Sequence, residues 1–135
     1  MKNIFLSLLV FVVMSLLHAQ LSDWEVGFLK LPGGSYGMFS VFMLIFCSII
    51  TGIGLLTVII FRKNYYSLLR IAVLFEVIYL LFLIISGNNP FLYFSKANDE
   101  NLLLLMTYGN AIVVFSIMFI FHLSYLKINL LKSKR

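Results

Sequence analysis

Glu76 is the residue of this chain best placed by type and position to do chemistry. It lies near the middle of residues 66–85, YSLLRIAVLFEVIYLLFLII, a run otherwise almost wholly apolar. About twenty such residues, wound as a helix, cross a bilayer core of roughly 30 Å. An ionisable group at the centre of a spanning helix costs about 2.5–3.5 kcal/mol on insertion scales. A leucine there would avoid that cost, so the carboxyl is expected to bind and release a proton or ion while facing protein or water. The alternative is a structural carboxyl bonded to a partner subunit. Tyr79 stands on the same helical face and offers a hydroxyl. Arg70 precedes Glu76 by six residues, about 9 Å along the axis and some 240° around it. The two are therefore no intrahelical ion pair, which needs a spacing of three or four. Arg70 either snorkels to the headgroups or lines a hydrophilic path as a cation. Asn110 is the second polar side chain at depth, in the next apolar run, and needs a partner there.

The elements that hold these residues follow from composition. The chain has 135 residues, 62% hydrophobic and 11% charged. A water-soluble domain of that size could not cover so much apolar surface. Lipid leaves no partner for an unpaired backbone group, so the fold is all-helical or a closed barrel. Uninterrupted apolar runs, in place of alternating ten-residue segments, exclude the barrel. The fold class expected is an all-α integral membrane protein with four transmembrane helices. Its one cysteine, Cys47, offers neither a disulfide framework nor a metal cluster and reads as a small buried side chain. No motif for nucleotide, metal or nucleophilic chemistry is present, and the net charge of +5 reads as the flanks of spanning helices, not as a nucleic-acid surface.

Residues 1–20 start with Lys2 and continue through an apolar run, 4–17, to His18, Ala19 and Gln20. That is the shape of a secretory signal peptide and equally of a short spanning helix; the retained helix is preferred. The run is apolar around its whole circumference, so it is not expected to lie on the membrane surface. Residues 21–37 read as a polar connection with Asp23, Trp24, Glu25 and the turn Pro32, Gly33, Gly34. The second helix is expected over 38–61. Its Ser48 and Gly52 form a small-xxx-small pair suited to close packing against a neighbour. Gly54, off that face, permits a local bend. Arg62, Lys63 and Asn64 end it, and the short link makes the third helix, 66–85, an antiparallel neighbour. Ala72 and Gly109 are further small residues that let helices approach. Gly87 to Pro90 break the third helix, and the fourth is expected over 102–125, with His122 near its inner end. Three units result: an N-terminal extra helix and loop, 1–35; a three-helix core, 36–127; and a basic tail, 128–135.

Loop charges set the direction. With the N-terminus inside, Lys2, Arg62, Lys63, Lys127, Lys132, Lys134 and Arg135 fall on the inner side, and Lys30 and Lys96 outside. Asp23, Glu25, Asp99 and Glu100 also fall outside. Both termini are therefore expected on the matrix or cytoplasmic side.

From about residue 37 to residue 127 the chain resembles NADH–ubiquinone oxidoreductase chain 4L, the K subunit in bacteria, a three-helix subunit of the membrane arm of respiratory complex I. Thr51 and Gly52 are like the family's Thr-Gly in its first span. Arg62, Lys63 and Asn64 resemble the basic turn that follows. Leu74, Phe75 and Glu76 resemble its mid-helix Leu-Glu. Gly109, Asn110 and Ala111 lie where the family has a second glutamate among small residues, and the 34-residue interval from Glu76 to Asn110 is close to the family's own. Asn110 thus stands in place of a carboxylate, and an amide does not titrate. The segment between the basic turn and Glu76 is about three residues longer than usual, close to one helical turn. Residues 1–35 lie outside the resemblance.

What the resemblance implies is a role in proton translocation coupled to NADH:ubiquinone electron transfer. This chain would hold no cofactor and no redox centre of its own. Glu76 would be the titrating group, with Tyr79, Asn110 and Arg70 along its pathway. The partners implied are other membrane-arm subunits, in a hetero-oligomer within the lipid bilayer, with no nucleic acid. Many Phe, Tyr, Ile, Asn and Lys residues suggest an AT-rich coding sequence. With the resemblance, this points to the mitochondrial inner membrane, with a bacterial plasma membrane as the alternative. Two other classes stay open: a structural or assembly subunit of a membrane complex, and a small proton-coupled exporter.

Overall fold

The computed structural model describes residues 2–133. The described residues are helical, with no strand among them. Helices α1 (Lys2–Phe28), α3 (Phe39–Ile60), α4 (Leu68–Ile85) and α6 (Asp99–Ser133) are joined by connections that contain two short helices, α2 (Gly33–Tyr36) and α5 (Leu92–Ser95). Four helical stretches are long and apolar enough to cross a membrane, so the transmembrane character expected from composition holds. The α3–α4 turn with Arg62 and Lys63 marks the basic end of the bundle, and residues 29–38 and 86–98 mark the loop end.

The bundle is a four-helix up-and-down arrangement built around α1 and α4. These two pack side by side, and α3 and α6 each pack against both, from opposite flanks. The N-terminal helix is therefore no appendage to a three-helix core, but touches all three of the other long helices. One stripe of each helix faces inward. On α3 it is Met43, Cys47, Ile50, Gly54 and Val58; on α4 it is Ile71, Ala72, Phe75, Glu76, Tyr79 and Leu83. On α6 it runs from Leu103 through Thr107, Asn110, Ala111 and Val114 to Met118. These positions recur every three or four residues, as one face of a helix must. The opposite faces carry large exposed apolar side chains such as Phe42, Ile45, Ile49, Leu81 and Ile120.

The packing face of α3 differs from the sequence expectation. Ser48 and Gly52 point outward: the Ser48 hydroxyl donates to its own helix at the Leu44 carbonyl, and a Cβ on Gly52 would meet nothing within 4 Å. The close approach is made by Gly54 instead, where an added Cβ would stand 2.8 Å from the ring of Phe11 on α1. A small-xxx-small spacing permits contact but does not select the face. Here the wide Phe11 ring needs a recess, and only the bare Gly54 supplies one. Ala72 is fully buried, as expected, whereas Gly109 leaves open space beside it.

Two helix ends also differ. First, α1 runs on to Phe28, through the stretch expected to be a loop, and stops where Lys30 takes a left-handed conformation (φ 49°). The Leu31 amide reaches back to the Val26 carbonyl to close that end. Second, α6 begins at Asp99, where the Asn98 side chain accepts from the Asn101 amide and Asp99 and Glu100 sit in the positive first turn. It continues to Ser133 because no glycine or proline interrupts residues 126–133. Most of the expected basic tail is thus helical, and Lys134 and Arg135 lie outside the described residues.

Candidate functional site

Glu76 occupies the centre of α4 and is 6% exposed. Its partner is His18 of α1, whose Nε2 stands 3.2 Å from Glu76 Oε1. The sequence reading took His18 as the end of the first apolar run. In the structure it is wholly buried at the heart of the bundle. Two aromatic contacts fix the imidazole: the Tyr79 ring lies at a centroid distance of 4.1 Å and the Phe75 ring at 5.9 Å, and Phe75 in turn packs on Phe11 at 5.6 Å. A ring so confined keeps one edge on the carboxyl.

A second polar contact lies nearer the loop end. Asn110 Nδ2 of α6 donates to Glu25 Oε2 of α1 at 3.2 Å, and both residues are buried. Glu25 was expected in an external loop, but the extra helical turns of α1 carry it into the bundle. Between the two contacts Tyr79 joins α4 to α6, its hydroxyl donating to the Thr107 carbonyl at 3.0 Å. Thr107 is one turn ahead of Asn110 on α6, and its own hydroxyl is committed to Leu103.

The expected partners of Glu76 are therefore reassigned. Tyr79 contacts the imidazole by its ring and sends its hydroxyl elsewhere. Asn110 belongs to Glu25, not to Glu76. Arg70 is exposed at the start of α4; its guanidinium donates to the Asn64 carbonyl at 3.1 Å and lies 4.7 Å above the Tyr66 ring. It does not join the buried cluster.

Sequence reasoning missed His18, Ser22 and Glu25. A signal for them exists. Ser7, Ser15, His18, Ser22 and Glu25 are all buried, and the last four are spaced three, four and three residues apart. That spacing places them on one side of a helix whose other side shows Phe5, Leu8, Leu9, Val12, Val13 and Leu16. So the buried face of α1 mixes these polar residues with Val10, Phe11 and Met14, while its outward face over residues 5–16 is apolar. The run is not apolar all round once it is followed past Leu17.

Within this site three buried polar atoms have no protein partner: His18 Nδ1, Ser22 Oγ and Glu76 Oε2. Native interiors leave few such atoms, so three within one site mark it out from the rest of the bundle. Among the described residues no three His, Cys, Asp or Glu side chains come together as a metal-binding group. Compared with known proteins, the chain matches no family model, no curated sequence and no solved structure.

Proposed function

We propose that this chain is a proton-carrying membrane subunit in which Glu76 and His18 form the titrating pair. The observation that carries the reading is the 3.2 Å contact between His18 Nε2 and Glu76 Oε1 at the centre of the bundle. The pair has two arrangements of one proton. In one, a carboxylic acid donates to a neutral imidazole; in the other, imidazolium Nε2–H donates to a carboxylate. Burial disfavours the separated charges, and their mutual attraction at contact distance offsets much of that cost. Passage between the arrangements moves one hydrogen and leaves the net charge of the site unchanged. An imidazole that gains a proton at Nε2 can release one at Nδ1, which is the free edge of His18 here.

The setting we propose is the membrane arm of NADH:ubiquinone oxidoreductase, as a subunit of the chain 4L kind. Its support is the order of Thr51 and Gly52, the basic turn at residues 62–64, Glu76 and Asn110 along the chain. The resemblance and the composition support a mitochondrial inner membrane or bacterial plasma membrane, and the basic residues of the α3–α4 turn and the C-terminal stretch support both termini on the matrix or cytoplasmic side. Other membrane-arm subunits would then cover the apolar faces of α3, α4 and α6.

Replacement of Glu76 by glutamine in native membranes tests both parts. The expected result is normal abundance of the chain with proton translocation reduced about 100-fold or more, the scale of a lost general acid–base group. Co-purification with flavin, iron–sulfur and quinone-reducing subunits is expected alongside. Unaltered electron transfer and translocation in E76Q would refute the proton role, and purification without those partners would refute the setting.

A further inference from the structure

We propose that Glu25 is a second proton-carrying carboxyl, through which the His18–Glu76 pair communicates with the loop end of the bundle and with that end alone. The inference rests on the pair acting as a proton site and adds its route and direction.

Glu25 lies seven residues beyond His18 on the same helix face, about 10 Å further along the axis. It is 3% exposed and three residues from the last residue of α1, so it stands inside the bundle yet close to its edge. Among the described residues no Lys or Arg pairs with it. Its side-chain partner is the Asn110 amide. An amide N–H donates to a carboxylate and equally to the carbonyl oxygen of a carboxylic acid. The contact therefore survives the gain or loss of a proton and does not lock either state.

Ser22 lies in the interval. It is four residues past His18 and three before Glu25, on the same buried stripe, and its hydroxyl is fully buried without a partner. His18 Nδ1, at the near end of this stretch, is likewise unpartnered. Buried polar atoms of this kind are the ones ordered water joins. A proton leaving His18 Nδ1 would pass by Ser22, whose hydroxyl accepts one proton and gives up its own, to the Glu25 carboxylate. Each step breaks one N–H or O–H bond and forms one, and no electron moves.

The opposite direction is mainly apolar. Towards the basic end the inward residues of α1 are Ser15, Met14, Phe11 and Val10, and Phe11 packs on Phe75. The Ser15 hydroxyl donates to the Phe11 carbonyl at 2.7 Å and meets Thr51 Oγ1 of α3 at 3.4 Å, and that of Ser7 donates to the Asn3 carbonyl at 2.7 Å, so both serine protons are held by backbone carbonyls of their own helix. The aromatic plug between Phe11, Phe75 and the Gly54 recess leaves the loop end as the polar side.

The test compares E25Q, the exchange E25Q/N110E and E76Q in native membranes, with translocation read beside the amount of chain retained. Glutamine at position 25 still accepts from Asn110 but carries no exchangeable acid proton, so a purely structural Glu25 predicts no change. The expected result is a loss of about tenfold or more in E25Q, with recovery in the exchange, which returns a carboxyl to the same contact from α6. Full translocation in E25Q while E76Q is inactive overturns this inference and leaves the His18–Glu76 reading intact. Full translocation in E76Q overturns both. If E25Q fails to accumulate, the unaltered chain decides by labelling with a membrane-permeant carbodiimide, which reacts with protonated buried carboxyls. Modification of both Glu25 and Glu76 supports the inference, and modification of Glu76 alone refutes it.

Discussion

The imidazole of His18 and the carboxyl of Glu76, 58 residues apart in the chain, meet at 3.2 Å where α1 crosses the centre of α4. Each explains the other. A lone carboxyl at that depth is costly, and a lone imidazole among Phe75, Tyr79 and Phe11 would leave both its nitrogens idle. The contact ties the N-terminal helix to the helix that carries the acid, so assembly of the bundle and formation of the site are one event.

Replacement of His18 by alanine removes the partner of Glu76 and the ring that packs on Tyr79. Leaving the buried carboxyl unpaired is expected to cost about 1–3 kcal/mol. His18→Gln keeps one hydrogen bond to the carboxyl and should retain most of that stability, yet it cannot bind a second proton. Thermal unfolding in nanodiscs should separate the two variants, while translocation should be lost in both. Translocation preserved in H18Q would reduce the imidazole to a structural part.

Tyr79→Phe removes only the hydroxyl donated to the Thr107 carbonyl. The expected loss is about 0.5–1.5 kcal/mol, with translocation unchanged, since the ring that confines His18 remains. Loss of translocation in Y79F at normal abundance would place the hydroxyl on the proton path.

The two glycines of α3 are expected to behave oppositely. A leucine at Gly54 drives its side chain into the Phe11 ring and should cost about 1–3 kcal/mol. At Gly52, where the helix faces outward, an added Cβ meets nothing within 4 Å. Unfolding of the isolated chain in detergent should show a marked fall for G54L alone, and G52L as damaging as G54L would contradict the packing described. Abundance of G52L in native membranes then reports whether a partner helix uses that outer face.

Arg70→Gln should leave translocation unaltered and change stability by no more than about 0.5 kcal/mol, as for an exposed side chain away from the core. A large loss of translocation would return Arg70 to the pathway for which its position on α4 made it a candidate.

The sequence alone sufficed for the membrane solvent, the four spanning helices and the position of Glu76 at mid-helix. Each follows from local chemistry: the length of an apolar run, the positions of breakers and the cost of a charge at depth. The same locality misplaced Glu25. A cluster of polar residues after an apolar run reads as a loop, and nothing near Asp23, Trp24 and Glu25 reveals that a buried amide awaits one of them. Ser48 and Gly52 could not be assigned a neighbour for a related reason, because a pair of small residues states what contact is permitted and not which helix takes it.

Only the tertiary structure decided who meets whom. Glu76 finds His18, Glu25 finds Asn110, Tyr79 finds Thr107, and Phe11 finds Gly54, each across an interval that no helical spacing governs. Periodicity constrains the face a residue occupies on its own helix. The rotation and depth at which that face meets another are set jointly, by filling the recess at Gly54 and by bringing His18 and Glu25 of α1 to their partners on α4 and α6.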